Sequence, residues 1–435
     1  MGKVDSIFPK LDVRALPGPK TIKRCELPNG VVVLSRSNFA SPSVVVFGYL
    51  AVGSLDESYE QAGLSQLTAQ ALMRGTNERS FQEIFEAIES VGARLGFGAA
   101  THTTTFQGKA LVEDLELLLE VLADALRNPT FPSVEFERLK AQHLTALAIR
   151  DQDTGSRAQL SFDELAYPNH PYRIPTAGYR KTVEGLQTSD LREFHRHQFG
   201  PTGMVVALVG SLEEEEAIGA VERVLGDWHE LEGDARPPLP PVERPASLVR
   251  QDVQLAGKSQ ADIVIGTPGP SRYEEHYLAA ALGNNILGRF GLFGRIGDAV
   301  RDTAGLAYYA YSSLTGGPGP GPWQVNAGVN PSNVEGAIEL IRKEIKRFVS
   351  RRVSEQELTD NQANFIGRLP LQLESNEGVA SALLHMERYS LGLDYYQRYP
   401  DLIASVTRDR ILELGRRFLD PDRLAIAVAG PDQEG

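Results

Sequence analysis

An α+β fold made of two tandem, homologous sandwich-like units is the class this sequence predicts, and three observations predict it. Strand pairs and helix pairs come in groups rather than in strict alternation, which disfavours a doubly wound parallel sheet. The chain's two halves also close alike. Thr188, Asp190, Phe199, Pro201 and an apolar run over 204–209 ending at Gly210 match Thr407, Asp409, Phe418, Pro421 and an apolar run over 424–429 ending at Gly430. The Asp and Phe pairs are both 219 positions apart and the Gly pair 220, so one unit of about 200 residues is duplicated. Between the halves, residues 236–245 carry five prolines, too many for a ladder or a helix interior. They read as a stiff linker. The domains expected are an arm over 1–22, a first unit over 23–235, a linker over 236–246 and a second unit over 247–435.

In the first unit, residues 31–34 and 44–47 are apolar runs of strand length. Ser80 and Glu83 have capping-box spacing, and Phe81, Ile84, Phe85 and Ile88 then form a helical stripe that stops at Gly92. Residues 95–101 and 103–111 read as a hairpin. Residues 112–126 read as a helix ended by Pro129. The second unit repeats the order: strand 263–266, helix 274–287, strands 306–313 and 324–329, helix 334–350. The Gly/Pro run over 316–322 joins two strands and reads as a long flexible hairpin tip, or as a lip that touches peptide or partner.

Residues 63–76, Gly-Leu-Ser-Gln-Leu-Thr-Ala-Gln-Ala-Leu-Met-Arg-Gly-Thr, form a short amphipathic helix with a glycine stop. Leu64, Leu67, Thr68, Ala71 and Leu72 make the core stripe; Gln66, Ala69, Gln70 and Met73 make the other face. The segment resembles the G-L-x-H-x-x-E-H-x-L-x-x-G-T motif of the pitrilysin and mitochondrial-processing-peptidase family, the inverted-motif zinc peptidases. Gly63, Leu64, Leu72, Gly75 and Thr76 keep the framework. In the family two His hold zinc and the Glu between them activates the metal-bound water. Here those positions are Gln66, Gln70 and Ala69.

The family's third ligand, a Glu in the helix after an N-P-x-F-P segment, falls on Ala146, downstream of Asn128-Pro129-Thr130-Phe131-Pro132. An amide is a poor zinc donor, and Ala neither ligates nor takes a proton. The resemblance therefore implies no catalytic residue and no metal on this chain, and no activity when it stands alone. Two further stretches carry it. Residues 163–178 resemble the family's "aF…hPy" stretch, and residues 285–308 resemble its Gly-rich segment and the "GLaY" that follows. Read alone, the first is a loop and the second a glycine-broken helix start.

By that resemblance Arg301 and Tyr308 stand where the family keeps a pair that grips substrate backbone and stabilises the oxyanion. A guanidinium and a phenol supply suitable donors. Arg301 is expected to end a helix, Gly305 to cap it in the left-handed region, and Tyr308 to lie on the next strand. The resemblance then implies a non-catalytic subunit of a heteromeric zinc metallopeptidase. Zinc is expected only in a homologous partner subunit, across a clam-like chamber for unfolded peptides. The isolated chain is also compatible with a homodimer. The rivals are a structural or binding homologue, like those in respiratory-complex cores, and an autonomous enzyme using other residues.

Composition bounds the rest. The 435 residues hold 44 Lys+Arg against 57 Asp+Glu, a net charge of −13, which disfavours nucleic acid. No apolar run reaches the roughly 18–20 residues of a membrane span. The first six residues lack the apolar core of a secretory signal, so a cytoplasmic location is expected; a processed start would instead allow a periplasmic one. The single cysteine, Cys25, permits neither an internal disulfide nor a thiolate metal cage, and reads as structural. His195 and His197 diverge on a helix and read as solvated or helix-end groups, His143 reads as a packed helix residue, and Glu213 to Glu216 as a helix first turn.

Overall fold

The computed structural model describes residues 11–229 and 238–431. The first sheet is built from β1 (Lys23–Glu26), β2 (Val32–Ser37), β3 (Ser43–Leu50), β4 (Arg94–Ala99), β5 (Thr104–Leu111) and β6 (Val205–Gly210). Its helices are α1 (Leu64–Ala71), α2 (Phe81–Ser90), α3 (Leu115–Arg127), α4 (Ser133–Asp151), α5 (Thr154–Ala166), α6 (Arg180–Gly185), α7 (Thr188–Gln198) and α8 (Glu214–Leu225). The second sheet uses β7 (Val249–Gln254), β8 (Ala261–Pro268), β9 (Ala307–Gly316), β10 (Pro320–Val329) and β11 (Ala425–Gly430). With it come α9 (Tyr277–Gly288), α10 (Phe290–Gly297), α11 (Val334–Ser350), α12 (Glu355–Gln372), α13 (Asn376–Arg388), α14 (Tyr395–Ala404) and α15 (Arg408–Phe418).

The duplication is explicit in the strand order. The sheets run β1-β2-β6-β3-β5-β4 and β7-β11-β8-β10-β9. Apart from the extra β1, each closing strand pairs in parallel with the opening strand and antiparallel with the next. Both closing strands, Val-Val-Ala-Leu-Val-Gly and Ala-Ile-Ala-Val-Ala-Gly, are buried along their whole length. They are central strands covered on both faces, hence continuously apolar rather than alternating. β4 and β9 are matching sheet edges with no further strand beside them among the described residues.

What the sequence did not reveal is an exchange of helices. α5 of the first unit lies on β7, β8 and β11, whereas α13 of the second lies on β3 and β6. Phe162, Ala166 and Tyr167 pack with Val264, Ala425 and Ala427. Reciprocally, Val379, Leu383 and Met386 pack with Leu34, Val45 and Val209. Each unit thus covers the outer face of the other's sheet, a face that would otherwise expose apolar strand residues.

Several local expectations need revision. Residues 163–166, read as loop, are the end of α5. The helices at the matching Thr188 and Thr407 do not begin alike. Thr407 caps α15 through its hydroxyl, but α7 is capped by Gln187, whose amide donates to Asp190 at 2.8 Å, so Thr188 is already helical. The Gly/Pro hairpin tip is shorter than expected because β9 runs on to Gly316 and β10 starts at Pro320. It leans on the first unit, with the Tyr167 hydroxyl donating to the Pro320 carbonyl at 3.0 Å. The arm packs as well: the Gln397 amide donates to the Leu16 carbonyl at 3.4 Å. Residues 238–248 hold no helix or strand. Arg236, Pro237 and the first ten residues of the arm lie outside the described residues. No described helix is long and apolar enough to cross a membrane.

Candidate functional site

The 63–76 framework residues turn out to be the devices that place α1. Gly63 precedes the helix at φ 104°, where a β-carbon would meet the Val183 side chain at 2.9 Å. One Glu57 carboxylate oxygen accepts the Gly63 amide hydrogen at 2.9 Å and the other accepts that of Ser65 at 2.6 Å. These satisfy amides that a helix start leaves open. Burial is the largest influence on Glu57 and pushes its carboxyl up to about 7, against the pull of those two amides.

At the other end Gly75 turns the chain at φ 143°, packed against Pro132. Thr76 donates its hydroxyl to Asp124 at 2.5 Å. The Gly75 carbonyl accepts from the Thr130 amide at 3.0 Å, and the Asn128 carbonyl from that of Asn77 at 3.1 Å. The 128–132 segment is therefore clamped to the glycine turn, with buried Phe131 at φ 47°, and α4 departs from it across α1.

That clamp brings together three of the four positions at which the family resemblance expects metal ligands or a base. Ala69, Gln70 and Ala146 line one cavity of about 420 Å³ with Met73, Phe85, Phe97 and His143. Gln66, one turn earlier on α1, is half-buried and outside its wall. α1 is not a two-faced surface helix as its pattern suggested. Ala69 is 0% exposed, because α4, α7 and β4 surround the helix. His143 donates from Nε2 to the Ala177 carbonyl oxygen at 2.8 Å, which ties it into the packing as expected. His195, by contrast, is no solvated end group: it stacks on Phe199 and contacts the Leu126 carbonyl at 2.8 Å, while His197 is exposed. Burial lowers the His195 pKa.

The donor set does not suit zinc, since two alanines and two neutral amides supply no imidazole, thiolate or carboxylate. Among the described residues no group of three or more His, Cys, Asp or Glu is placed to hold a metal ion. Cys25 is a half-buried free thiol against the first core.

Arg301 and Tyr308 lie elsewhere. The cavity wall comes wholly from the first unit, and the pair belongs to the second. Arg301 sits in a π-helical turn, Asp298–Thr303, that continues α10. Its carbonyl accepts from the amide of Gly305, which adopts φ 66°, as a left-handed cap requires. Tyr308 then starts β9, 62% exposed, on the strand that corresponds to β4. Sequence reasoning missed Glu57, Phe85, Leu95 and Phe97. Leu95 and Phe97 reach α1 only through the placement of β4, and Glu57 reaches it from a polar loop whose pattern carries no helix-start signal.

Comparison with known proteins agrees with this architecture. Residues 32–178 match the model described as insulinase, peptidase family M16, and residues 185–365 match the peptidase M16 inactive domain. An uncharacterized zinc protease of Streptomyces coelicolor is 28% identical over 95% of this chain and 90% of its own length. The β subunit of the mitochondrial-processing peptidase of Saccharomyces cerevisiae is 23% identical over 84% and 80%. A crystal structure of a peptidase M16 inactive domain from Pseudomonas fluorescens superposes with a TM-score of 0.87 at 25% identity, covering 94% of this chain and 98% of that one. A protease structure from Helicobacter pylori also reaches 0.87, at 17% identity. With both halves matched and the same two-unit fold, the chain belongs to peptidase family M16.

Proposed function

We propose that this chain is the non-catalytic subunit of a heteromeric zinc metallopeptidase, in which Arg301 and Tyr308 serve a zinc-bearing homologous partner that cleaves unfolded peptides. The observation that carries the reading is the preserved scaffold around an emptied donor set. The glycine turn, the Glu57 anchor and the 128–132 clamp still bring Ala69, Gln70 and Ala146 to one cavity, yet none of these side chains supplies a zinc ligand or a general base.

A peptide-holding role fits what adjoins the cavity. β4 is a sheet edge whose half-buried Leu95 and Phe97 face the partly exposed Phe85. An extended peptide would add to that edge by main-chain hydrogen bonds. The Arg/Tyr pair supports the second half of the reading. Tyr308 is exposed at the foot of the matching edge strand, and the Arg301 side chain, beside Asp302 at 4.0 Å, is 37% exposed.

Co-expression with a zinc-bearing homologue from the same genome tests this. The pair should hydrolyse unfolded peptides and this chain alone should not, and Arg301→Ala with Tyr308→Ala should lower kcat of the pair about 10- to 1,000-fold, as loss of oxyanion donors does. Unchanged activity of the mutated pair would instead favour a structural homologue, and chelator-sensitive cleavage by the isolated chain would overturn the reading entirely.

A further inference from the structure

The helix exchange creates two seams, and each borders an open cavity whose helix wall uses the same positions of the duplicated helix. One, of about 240 Å³, is lined by Gln159, Asp163 and Tyr167 of α5 and its end, facing the β9–β10 tip. The other, of about 290 Å³, is lined by Ser381, His385 and Tyr389 of α13 and its end, facing β3 and β5. Each of these three residues follows its counterpart by 222 positions. The duplication has thus kept a titratable residue on the helix wall of each seam cavity, an acid in one copy and an imidazole in the other.

The second cavity has the makings of an anion site. Arg388 forms part of its wall, with the guanidinium 5.7 Å from the ring centroids of both Tyr49 and Tyr389. No carboxylate lies within ion-pair distance of it among the described residues, and the adjacent Glu387 is taken by Arg24 at 2.8 Å. Arg272 stands behind Tyr389 at 5.7 Å and is likewise without an acid partner. Burial first, then Arg272 and Arg388, push His385 down to about 4, so the imidazole is neutral and adds no competing charge. The remaining walls are Phe47, Phe106 and the Tyr49 ring, with Ser381 and Gln107 at the rim. In a chain of net charge −13, a guanidinium in the wall of an aromatic cavity with no acid partner among the described residues, and a second one behind Tyr389, call for an anionic ligand.

We infer that this seam cavity binds a small aromatic anion, its ring between Tyr49, Phe106 and Tyr389 and its acid group on Arg388. The volume lies just under the roughly 300–1,000 Å³ of drug-sized sites, so a single ring with one carboxylate fits best. Such a ligand would touch the first unit's sheet and the second unit's helix together, and so would tighten the seam.

Benzoate and 4-hydroxybenzoate, titrated by calorimetry and by thermal shift against the full chain, test the inference. Saturable binding with a rise in Tm is expected. Arg388→Gln should weaken it about 10- to 100-fold, the loss of one charge-assisted hydrogen bond. Ser381→Trp, at the exposed rim, should block it without disturbing the fold, and Asp163→Asn should leave it unchanged. Binding of a peptide ending in phenylalanine with the same dependence on Arg388 would identify a chain terminus as the source of the same chemistry. No saturable binding of either acid or that peptide, or equal affinity in folded Arg388→Gln, would overturn it.

Discussion

Ser65 gives its amide hydrogen to Glu57 at 2.6 Å, and through that bond a carboxylate outside the helix sets where α1 begins. Glu57→Ala should leave two amides at the helix start unpaired and lower stability by about 1–3 kcal/mol. Denaturant unfolding measures this, and Glu57→Gln, which keeps one acceptor, should recover part of the loss.

The scaffold should still accept metal once its donors are returned. Gln66→His, Ala69→Glu, Gln70→His and Ala146→Glu together place two imidazoles and two carboxylates on α1 and α4 beside the 420 Å³ cavity. The purified quadruple variant should carry about one zinc per chain by elemental analysis, the three-ligand set of a catalytic site. The parent should carry none above background after the same dialysis.

Each seam helix should behave as core to the opposite unit. Phe162 is fully buried against the second sheet and Leu383 against the first. Phe162→Ala should cost about 3–5 kcal/mol and Leu383→Ala about 2–5 kcal/mol. Because each helix bridges both units, the parent should unfold in one calorimetric transition. Two well-separated transitions would show that the exchanged helices do not couple the halves.

The two seam residues should make stability bend in opposite directions with pH. Burial is the main cause in raising Asp163 from 3.8 to about 7, offset by the Gln159 hydrogen bond and reinforced by Glu164. Its contribution is fully present below pH 3.8 and is lost as pH rises through 7. His385 falls from 6.5 to about 4, so its contribution is present above pH 6.5 and is lost as pH falls through 4. The two windows overlap between about pH 4 and 6.5, so in Tm recorded from pH 4 to 8 the opposite slopes should largely offset one another in the parent. Relative to the parent, Asp163→Asn should gain Tm as pH rises from 4 to 7, where Glu57 retains a slope of the sign removed, and His385→Gln should gain it as pH falls from 6.5 to 4.

Patterns local in sequence were legible, and those that depend on sheet order were not. The closing strands, the Ser80 capping box and the Arg301–Gly305–Tyr308 turn follow from spacing within one element or its neighbour. The helical pattern of 64–73 placed α1 but misjudged its second face, because Ala69 is buried by elements that begin dozens of residues away. Glu57 sits in an ordinary polar loop, and nothing around it announces that both its oxygens are taken by α1.

By itself the sequence pointed to a duplicated α+β chain resembling the inverted-motif zinc peptidases, with Gln66, Ala69, Gln70 and Ala146 where that resemblance expects metal and base. Those are statements about residue identity and short-range order, which periodicity and motif spacing carry. Only the tertiary structure decided that three of these positions meet at one cavity, that Arg301 and Tyr308 are not in its wall, and that α5 and α13 change places. Each unit's sheet has two apolar faces and its own helices cover only one, so where the second cover comes from is settled by packing between units, not within them.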